Sequence, residues 1–203
     1  MEKTTDLFSS WALLGKDEGM ETGHAPSVAI MLEHAFERLN RDFTAIDIGC
    51  GNGWVVRTLE SHPLCNRAIG VDGAKEMIVK ARTIDAEGHY VHAHLPGWHP
   101  SEPVDLVFSM EFMYYLQQPE SFLAEICTSW IKQDGWLIMG IDHYLENESS
   151  LTWADKLEVH MTTKSEEEWK MCLINAGFKN VKSMRVGQKE GWSGTLILIA
   201  NRQ

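Results

Sequence analysis

Asp47-Ile48-Gly49-Cys50-Gly51-Asn52-Gly53 closes a short β-branched run, Thr44 to Ile48, and leads into Trp54, Val55, Val56 and Leu59 at helical intervals. The pattern predicts a strand, a glycine loop and a helix in that order. Alternate glycines let a ligand press on the backbone where no Cβ intervenes, and they permit a positive φ where the turn needs one. In an open α/β sheet this first strand-to-helix loop lies at the carboxyl end of its strand and is the usual ligand cradle. Asp72 ends the next predicted strand, 19 residues beyond Gly53, where a carboxylate can accept hydrogen bonds from ribose hydroxyls. Loop and carboxylate together specify an adenosine-bearing ligand. The spacing argues against a dinucleotide, because the GxGxxG fingerprint needs glycine at position 54 and the chain has Trp54.

The strand and helix alternation extends outward from this loop. Upstream, Val28, Met31, Leu32, Ala35, Phe36 and Leu39 form a helical stripe, with Pro26 suited to its first turn. Downstream, Arg67 to Asp72 reads as a strand, and Met77, Ile78, Ala81 and Ile84 as the buried stripe of a helix closed by Gly88. Further strands are predicted at His89 to Ala93, Val104 to Ser109 and Trp136 to Ile141. Between the last two, a helix after Pro119 uses Phe122, Leu123, Ile126 and Trp130 and stops near Gly135. Ser165 and Glu168 have the spacing of a capping box, predicting a helix to Ala176 ended by Gly177. Phe178 to Val186 and Thr195 to Asn201 close the chain as two strands with only a short link, so they must run antiparallel. The expected fold is α/β: a Rossmann-like, seven-stranded, mainly parallel sheet with an antiparallel C-terminal hairpin and helices on both faces.

With 203 residues, 44% of them hydrophobic, the chain is expected to form one domain over 1–203, with the core at 26–203. Residues 1–25, including Phe8, Trp11 and the Gly15 to His24 stretch, form either a lid over the ligand or a segment that merely packs on the core. The 18 basic against 29 acidic residues give a formal charge of −11, which disfavours a phosphate backbone as partner. Cys50, Cys65, Cys127 and Cys172 show no disulfide or zinc spacing and read as free thiols. The amino terminus carries mixed charge with no signal-like apolar run, and no stretch is apolar enough to span a bilayer, so a cytoplasmic location without membrane association is expected.

These residues resemble the class I S-adenosylmethionine-dependent methyltransferase family, whose first motif, acidic-x-Gly-x-Gly-x-Gly, corresponds to Asp47 to Gly53. Gly70-Val71-Asp72-Gly73 with Met77 resembles the second motif, and Val104 to Met110 the fourth-strand motif. Gly135 to Ile138, the Glu167 to Phe178 segment and the closing hairpin are also similar to the family. The resemblance implies S-adenosyl-L-methionine as cofactor, with Gly49, Cys50 and Gly51 along its methionine moiety, Asp72 on the ribose, and Gly73 and Met77 near the adenine. The same match puts Asp47, Asn52, Ser109 and Met110 in the cofactor site. Many relatives carry an acidic residue before an alanine after the third strand; here the sequence is Val91-His92-Ala93-His94, which places Ala93 and His94 at that position.

Methyl transfer is an in-line displacement that positioning can accelerate, with a base needed only where the nucleophile carries a proton. Groups for this chemistry are expected at the carboxyl ends of the fourth and fifth strands: Glu111, Tyr114 and Tyr115 on one side, Asp142, His143 and Tyr144 on the other. His143 is the first candidate for a base, its ordinary pKa suiting neutral pH; Glu111 is a candidate to orient substrate or the cofactor amine, and Tyr115 is a further catalytic candidate. His89, His92, His94 and His99 cluster without interleaved carboxylates or thiolates at a ligand spacing, so no metal is expected. Trp98, Trp153 and Trp192 are candidates to line an aromatic or cationic pocket. An Asn-Pro-Pro-Tyr-type motif, which the family's amide- and adenine-methylating members carry, is replaced by Ser109-Met110-Glu111-Phe112. The expected activity is transfer of a methyl group to oxygen, nitrogen or sulfur of a small-molecule substrate. A catalytically silent cofactor-binding regulatory subunit is the second reading and a nicotinamide-dependent oxidoreductase the third. The oligomeric state is not legible.

Overall fold

A computed structural model describes residues 2–203. Seven strands form one sheet in the order β3-β2-β1-β4-β5-β7-β6, with β1 Phe43–Ile48, β2 Cys65–Asp72, β3 His89–His92, β4 Val104–Met110, β5 Ile131–Ile141, β6 Lys179–Val186 and β7 Thr195–Asn201. The first five pair in parallel, whereas β7 lies antiparallel between β5 and β6. The helices are α1 Glu2–Leu13, α2 Lys16–Arg38, α3 Trp54–Glu60, α4 Lys75–Ile84, α5 Pro119–Glu125, α6 Trp153–Leu157 and α7 Glu166–Asn175. Because β1 leads outward to β2 and β3 and the chain then returns to β4 on the other side, the strand order reverses between β1 and β4. Ligands of open α/β sheets bind beyond the carboxyl ends of strands at such a switch point.

The central strands are buried on both faces, as parallel strands flanked by helices must be. Ile46, Ile48, Val107, Leu137 and Leu198 pack with Trp130, Trp169 and Phe178 on one side, while Phe43, Leu106, Phe108 and Ile138 pack under Val28, Met31 and Ala35 of α2 on the other. Asp105 ties three strands together at the amino ends: its carboxylate accepts the Thr44 amide at 2.9 Å, the Thr44 hydroxyl at 3.0 Å and the Lys132 ammonium at 2.7 Å. The Ser165–Glu168 capping box forms as predicted at the start of α7.

Three expectations are corrected. Pro26 does not open a helix: α2 starts ten residues earlier at Lys16, after Gly15 turns through φ 70°, and carries Pro26 in its interior. A proline there forfeits one backbone hydrogen bond; the early turns persist because Asp17 is held by Lys80 at 2.8 Å and by the Asn52 amide at 2.9 Å. Ile84, assigned to a buried stripe, is 51% exposed. Gly135 does not end the helix after Pro119: α5 passes through a wider turn over Ile126–Trp130 directly into β5, and Gly135 lies within that strand beside Asp134, whose φ of 62° accompanies a break in register against β4. No helix among the described residues is long and apolar enough to cross a membrane.

Candidate active site

The glycine loop is built by β1 ending against β2. The amides of Gly49 and Cys50 both donate to the Val71 carbonyl, at 2.8 and 3.2 Å, which turns the chain away from the sheet. Gly49, Gly51 and Gly53 all take positive φ, at 74°, 53° and 80°. A Cβ on Gly51 would have only the Met77 sulfur within 4.0 Å and would otherwise occupy the open cradle, whereas one on Gly53 would strike the Tyr90 ring at 2.3 Å. Gly53 thus lets α3 start tight against β3, and Gly51 leaves room for a ligand.

Asp72 stands at the end of β2 with one carboxylate oxygen accepting the Gly51 amide at 2.9 Å and the other the Ala74 amide at 2.7 Å. Burial raises its pKa, against which these amides and His92 pull down. The side chain lines a cavity with Gly49, Gly51, Gly73 and Met77. A contiguous cavity continues past Asp47, Cys50 and Asn52, sharing Met20, Gly49, Gly51, Met77, Met110 and Glu111 with the first. Burial and the neighbouring Asp72 push the Asp47 carboxyl well upward. Asp72, the open cradle at Gly51 and the acidic far end fit the ribose, the backbone-hugging sulfonium chain and the ammonium of S-adenosylmethionine.

The amino-terminal helices cover this crevice. Thr4, Thr5 and Phe8 of α1 line the first cavity, and Phe8 packs with Ala12 on Ala74 and Met77. From α2, Asp17 and Glu21 accept both Asn52 amide contacts, at 2.9 and 3.2 Å, while the Asn52 carbonyl takes the Trp54 amide at 3.2 Å.

A third cavity, of about 300 Å³, opens beside these two and shares Met20 and Glu111 with both. Its walls include Phe8, Trp11, Tyr114, Tyr115 and Trp153, with His24 at the inner end. Glu111 follows β4 at φ 58°, a conformation that strains a residue with a side chain and persists only where neighbours hold it. Its amide donates to the Gly140 carbonyl at 2.9 Å, its carboxylate accepts the Asp142 amide and, at 2.7 Å, the Tyr114 hydroxyl. Burial, then the Asp142 charge, push the Glu111 carboxyl well above its usual range. Asp142 lies 3.6 Å from His24, and its Oδ1 has no hydrogen-bond partner among the described residues. Burial raises Asp142 and lowers His24, so His24 is held toward its neutral form.

Most of the residues singled out in the sequence converge here. Asp47, Gly49, Cys50, Gly51, Asn52, Asp72, Gly73, Met77, Met110, Glu111 and Tyr115 all line one of the three cavities. His143 does not: it is 1% exposed, with Nδ1 at 3.1 Å from the Ser150 carbonyl and Nε2 at 2.8 Å from the Thr163 hydroxyl. It braces the loop after β5, and His24 is the imidazole at the crevice. Ser109 is also buried away from the cavities, donating to the Ile48 carbonyl at 3.1 Å and so joining β4 to β1. Ala93 and His94 flank the site without lining it; the Ala93 amide donates to the Asp72 carbonyl, and Leu95 is the residue that reaches the cavity. Trp153 lines the aromatic cavity, Trp192 stacks on it at 6.1 Å, and Trp98 packs instead on Trp130. The His89 to His99 residues disperse, His89 toward Glu60 and His99 toward Glu125. Ligand-type atoms converge elsewhere, with those of His24, Glu111 and Asp142 within 4.8 Å of one another. Leu95 was missed, and Met20 and His24 were read only as part of the Gly15 to His24 stretch, because loops and helices far apart in sequence bring them to the cavities.

Comparison with known proteins agrees with this geometry. Residues 25–183 match the family profile of a methyltransferase domain. A trans-aconitate 2-methyltransferase of Azoarcus sp. strain BH72 is 30% identical over 121 residues, covering 56% of this chain and 47% of the relative. Its namesake from Escherichia coli O157:H7 is 26% identical over 121 residues, so the alignment spans about half the length of these curated relatives. Among solved structures, the complex of the Haloferax volcanii Trm112 methyltransferase activator with a methyltransferase matches with TM-score 0.79 and 27% identity over 96% of each chain. The Burkholderia thailandensis 1,6-didemethyltoxoflavin-N1-methyltransferase matches over 100% of this chain and 88% of its own with TM-score 0.73 at 19% identity, a likeness of fold. The profile match over most of the chain, set on a glycine loop, a carboxylate at the end of β2 and a closing hairpin of the expected geometry, establishes that the chain belongs to the class I S-adenosylmethionine-dependent methyltransferases.

Proposed function

We propose that the protein transfers the sulfonium methyl of S-adenosylmethionine to an oxygen, nitrogen or sulfur atom of a small metabolite. The observation that carries this reading is the aromatic cavity that meets the cofactor cradle at Glu111 and Met20, with a volume within the range of small-molecule sites. When bound, the cofactor supplies an electrophilic methyl group. The chain's own residues then hold and orient: Asp72 and the loop amides fix the nucleoside end, Asp47 faces the amino-acid end, and Tyr115 and Glu111 position the acceptor. Helices α1 and α2 act as a lid within a single domain, excluding water from the reacting atoms. The four free thiols support a cytoplasmic site of action.

Calorimetric titration with S-adenosylmethionine, S-adenosylhomocysteine and NADH tests the cofactor assignment: the first two bind and NADH does not. Asp72→Ala abolishes detectable binding of both while the circular dichroism spectrum is kept. Unchanged affinity in that variant overturns the assignment.

One observation favours a second reading, in which the chain is a cofactor-binding subunit that works with a protein partner: its structural neighbour was solved with a methyltransferase activator. Methyl transfer to a small molecule by the isolated chain decides for the first reading, and turnover only with an added activator for the second.

A further inference from the structure

The end of the aromatic cavity that meets the cofactor cradle is acidic, while the cations nearby are committed elsewhere, Lys16 over the Trp11 ring at 5.6 Å and Lys80 on Asp17 at 2.8 Å. Glu111 lines the cavity, and Asp142 lies directly behind, 5% exposed, with one oxygen lacking any described partner and the other toward His24. Asp17, Asp47 and Glu21 line the adjoining cavity. The described cationic side chain on the aromatic cavity's lining is Lys156, an exposed residue of α6 at the rim. A half-buried and a buried carboxylate within 4.8 Å of one another are costly unless a proton or a cation joins them. The walls add the faces of tryptophan, tyrosine and phenylalanine rings, which attract a cation most where water is excluded. A tricarboxylate, the substrate in the name of the curated relatives, would meet repulsion at this inner end.

Resting on the methyltransferase reading above, we propose that the acceptor is a protonated amine, seated in the aromatic cavity with its nitrogen at Glu111 and its proton relayed to the His24–Asp142 pair. An ammonium has no lone pair and cannot attack carbon, so one N–H proton must leave first. His24 accepts it as a neutral imidazole, and Asp142 at 3.6 Å stabilises the imidazolium so formed. The nitrogen lone pair then forms the N–C bond to the cofactor methyl as the C–S bond breaks, its electron pair remaining on sulfur; the product is an N-methylammonium ion, and the first proton passes from His24 to solvent.

The test titrates benzylamine, tyramine, histamine and trans-aconitate into protein saturated with S-adenosylhomocysteine, and follows products with S-adenosylmethionine by mass spectrometry. At least one amine binds and gains a methyl group, trans-aconitate does neither, and Glu111→Gln weakens amine binding about tenfold or more, the scale of a lost charged hydrogen bond, a larger factor than its effect on S-adenosylhomocysteine. Trp153→Ala, which alters the wall and leaves the acidic groups alone, also weakens the amine. Failure of every amine in protein that still binds S-adenosylhomocysteine, preference for trans-aconitate, or equal amine binding by Glu111→Gln each overturns the amine assignment alone. Stoichiometric uptake of zinc or manganese that His24→Ala abolishes also overturns it, making the cluster a metal site. Loss of S-adenosylhomocysteine binding in the wild-type protein instead overturns the reading beneath it.

Discussion

Individual side chains decide whether the crevice stays open. Gly53 and Gly19 show how differently two glycines are used. Gly53 combines a φ of 80° with the Tyr90 ring 2.3 Å from where a Cβ would sit, whereas Gly19 lies in α2 with nothing within 4 Å. Gly53→Ala should therefore destabilise by more than about 1 kcal/mol, through the positive φ and the overlap. Gly19→Ala should stabilise by roughly 0.5–1 kcal/mol, since alanine loses less conformational freedom in a helix. Urea unfolding of both variants checks the pair; equal effects would mean that the tight approach of α3 to β3 is not real. The same scale explains His143. Sequence position put it at the end of the right strand, and ordinary imidazole chemistry suited it, but its two hydrogen bonds with the loop that follows turn it inward.

Between elements, buried polar ties set the register of the sheet and the seat of the lid. Asp105 joins β1, β4 and the start of β5 through Thr44 and Lys132. Burial works against its charge, but Lys132 and Thr44 outweigh that and hold its carboxyl below the usual range. A depressed folded pKa stabilises the protein above the unfolded value, near 3.9, and the benefit disappears as pH falls through the lower folded value. Asp105→Asn should cost about 1.5–3 kcal/mol near neutral pH, and the gap to wild type should close under strongly acid conditions. Urea midpoints at about pH 7 and pH 3 test this; a gap that persists in acid would remove the charge from the explanation. The capping box of α7, the closing hairpin and β1 with its glycine loop were all legible, because each signal lies within a few consecutive residues. The true start of α2 was not. Its support comes from Asn52 and Lys80, which no local rule connects to Asp17.

The whole molecule concentrates its −11 charge unevenly. Asp47, Asp72, Glu111 and Asp142 gather around one crevice, and burial raises the pKa of each. Groups with raised folded values bind more protons folded than unfolded, so the ligand-free fold loses stability as pH climbs from the ordinary carboxylate range through those raised values. S-adenosylmethionine brings a sulfonium and an ammonium to the same place and favours the ionised carboxylates. Its thermal stabilisation should therefore grow between about pH 5 and 8, and exceed the growth seen with S-adenosylhomocysteine, which lacks the sulfonium charge. Scanning fluorimetry at saturating ligand tests this; an increment independent of pH would show that the cluster does not sense the cofactor. Depressed groups elsewhere, such as Asp105, Glu120 and Glu166, act on free and bound protein alike and drop out of the difference.

The amino-acid sequence by itself determined the α/β sheet, its antiparallel ending, the glycine loop and the carboxylate that ends β2 beside it, because alternation, glycine spacing and strand-end position are local properties that repeat along the chain. Tertiary structure alone decided which imidazole reaches the crevice, that α1 and the first turns of α2 line it, and that Glu111 and Asp142 come within 4.8 Å of one another. Those outcomes depend on where β4 and β5 end relative to α2, with Glu111 lying 87 residues and Asp142 118 residues beyond His24 in the chain, a proximity in space that no spacing in the sequence encodes.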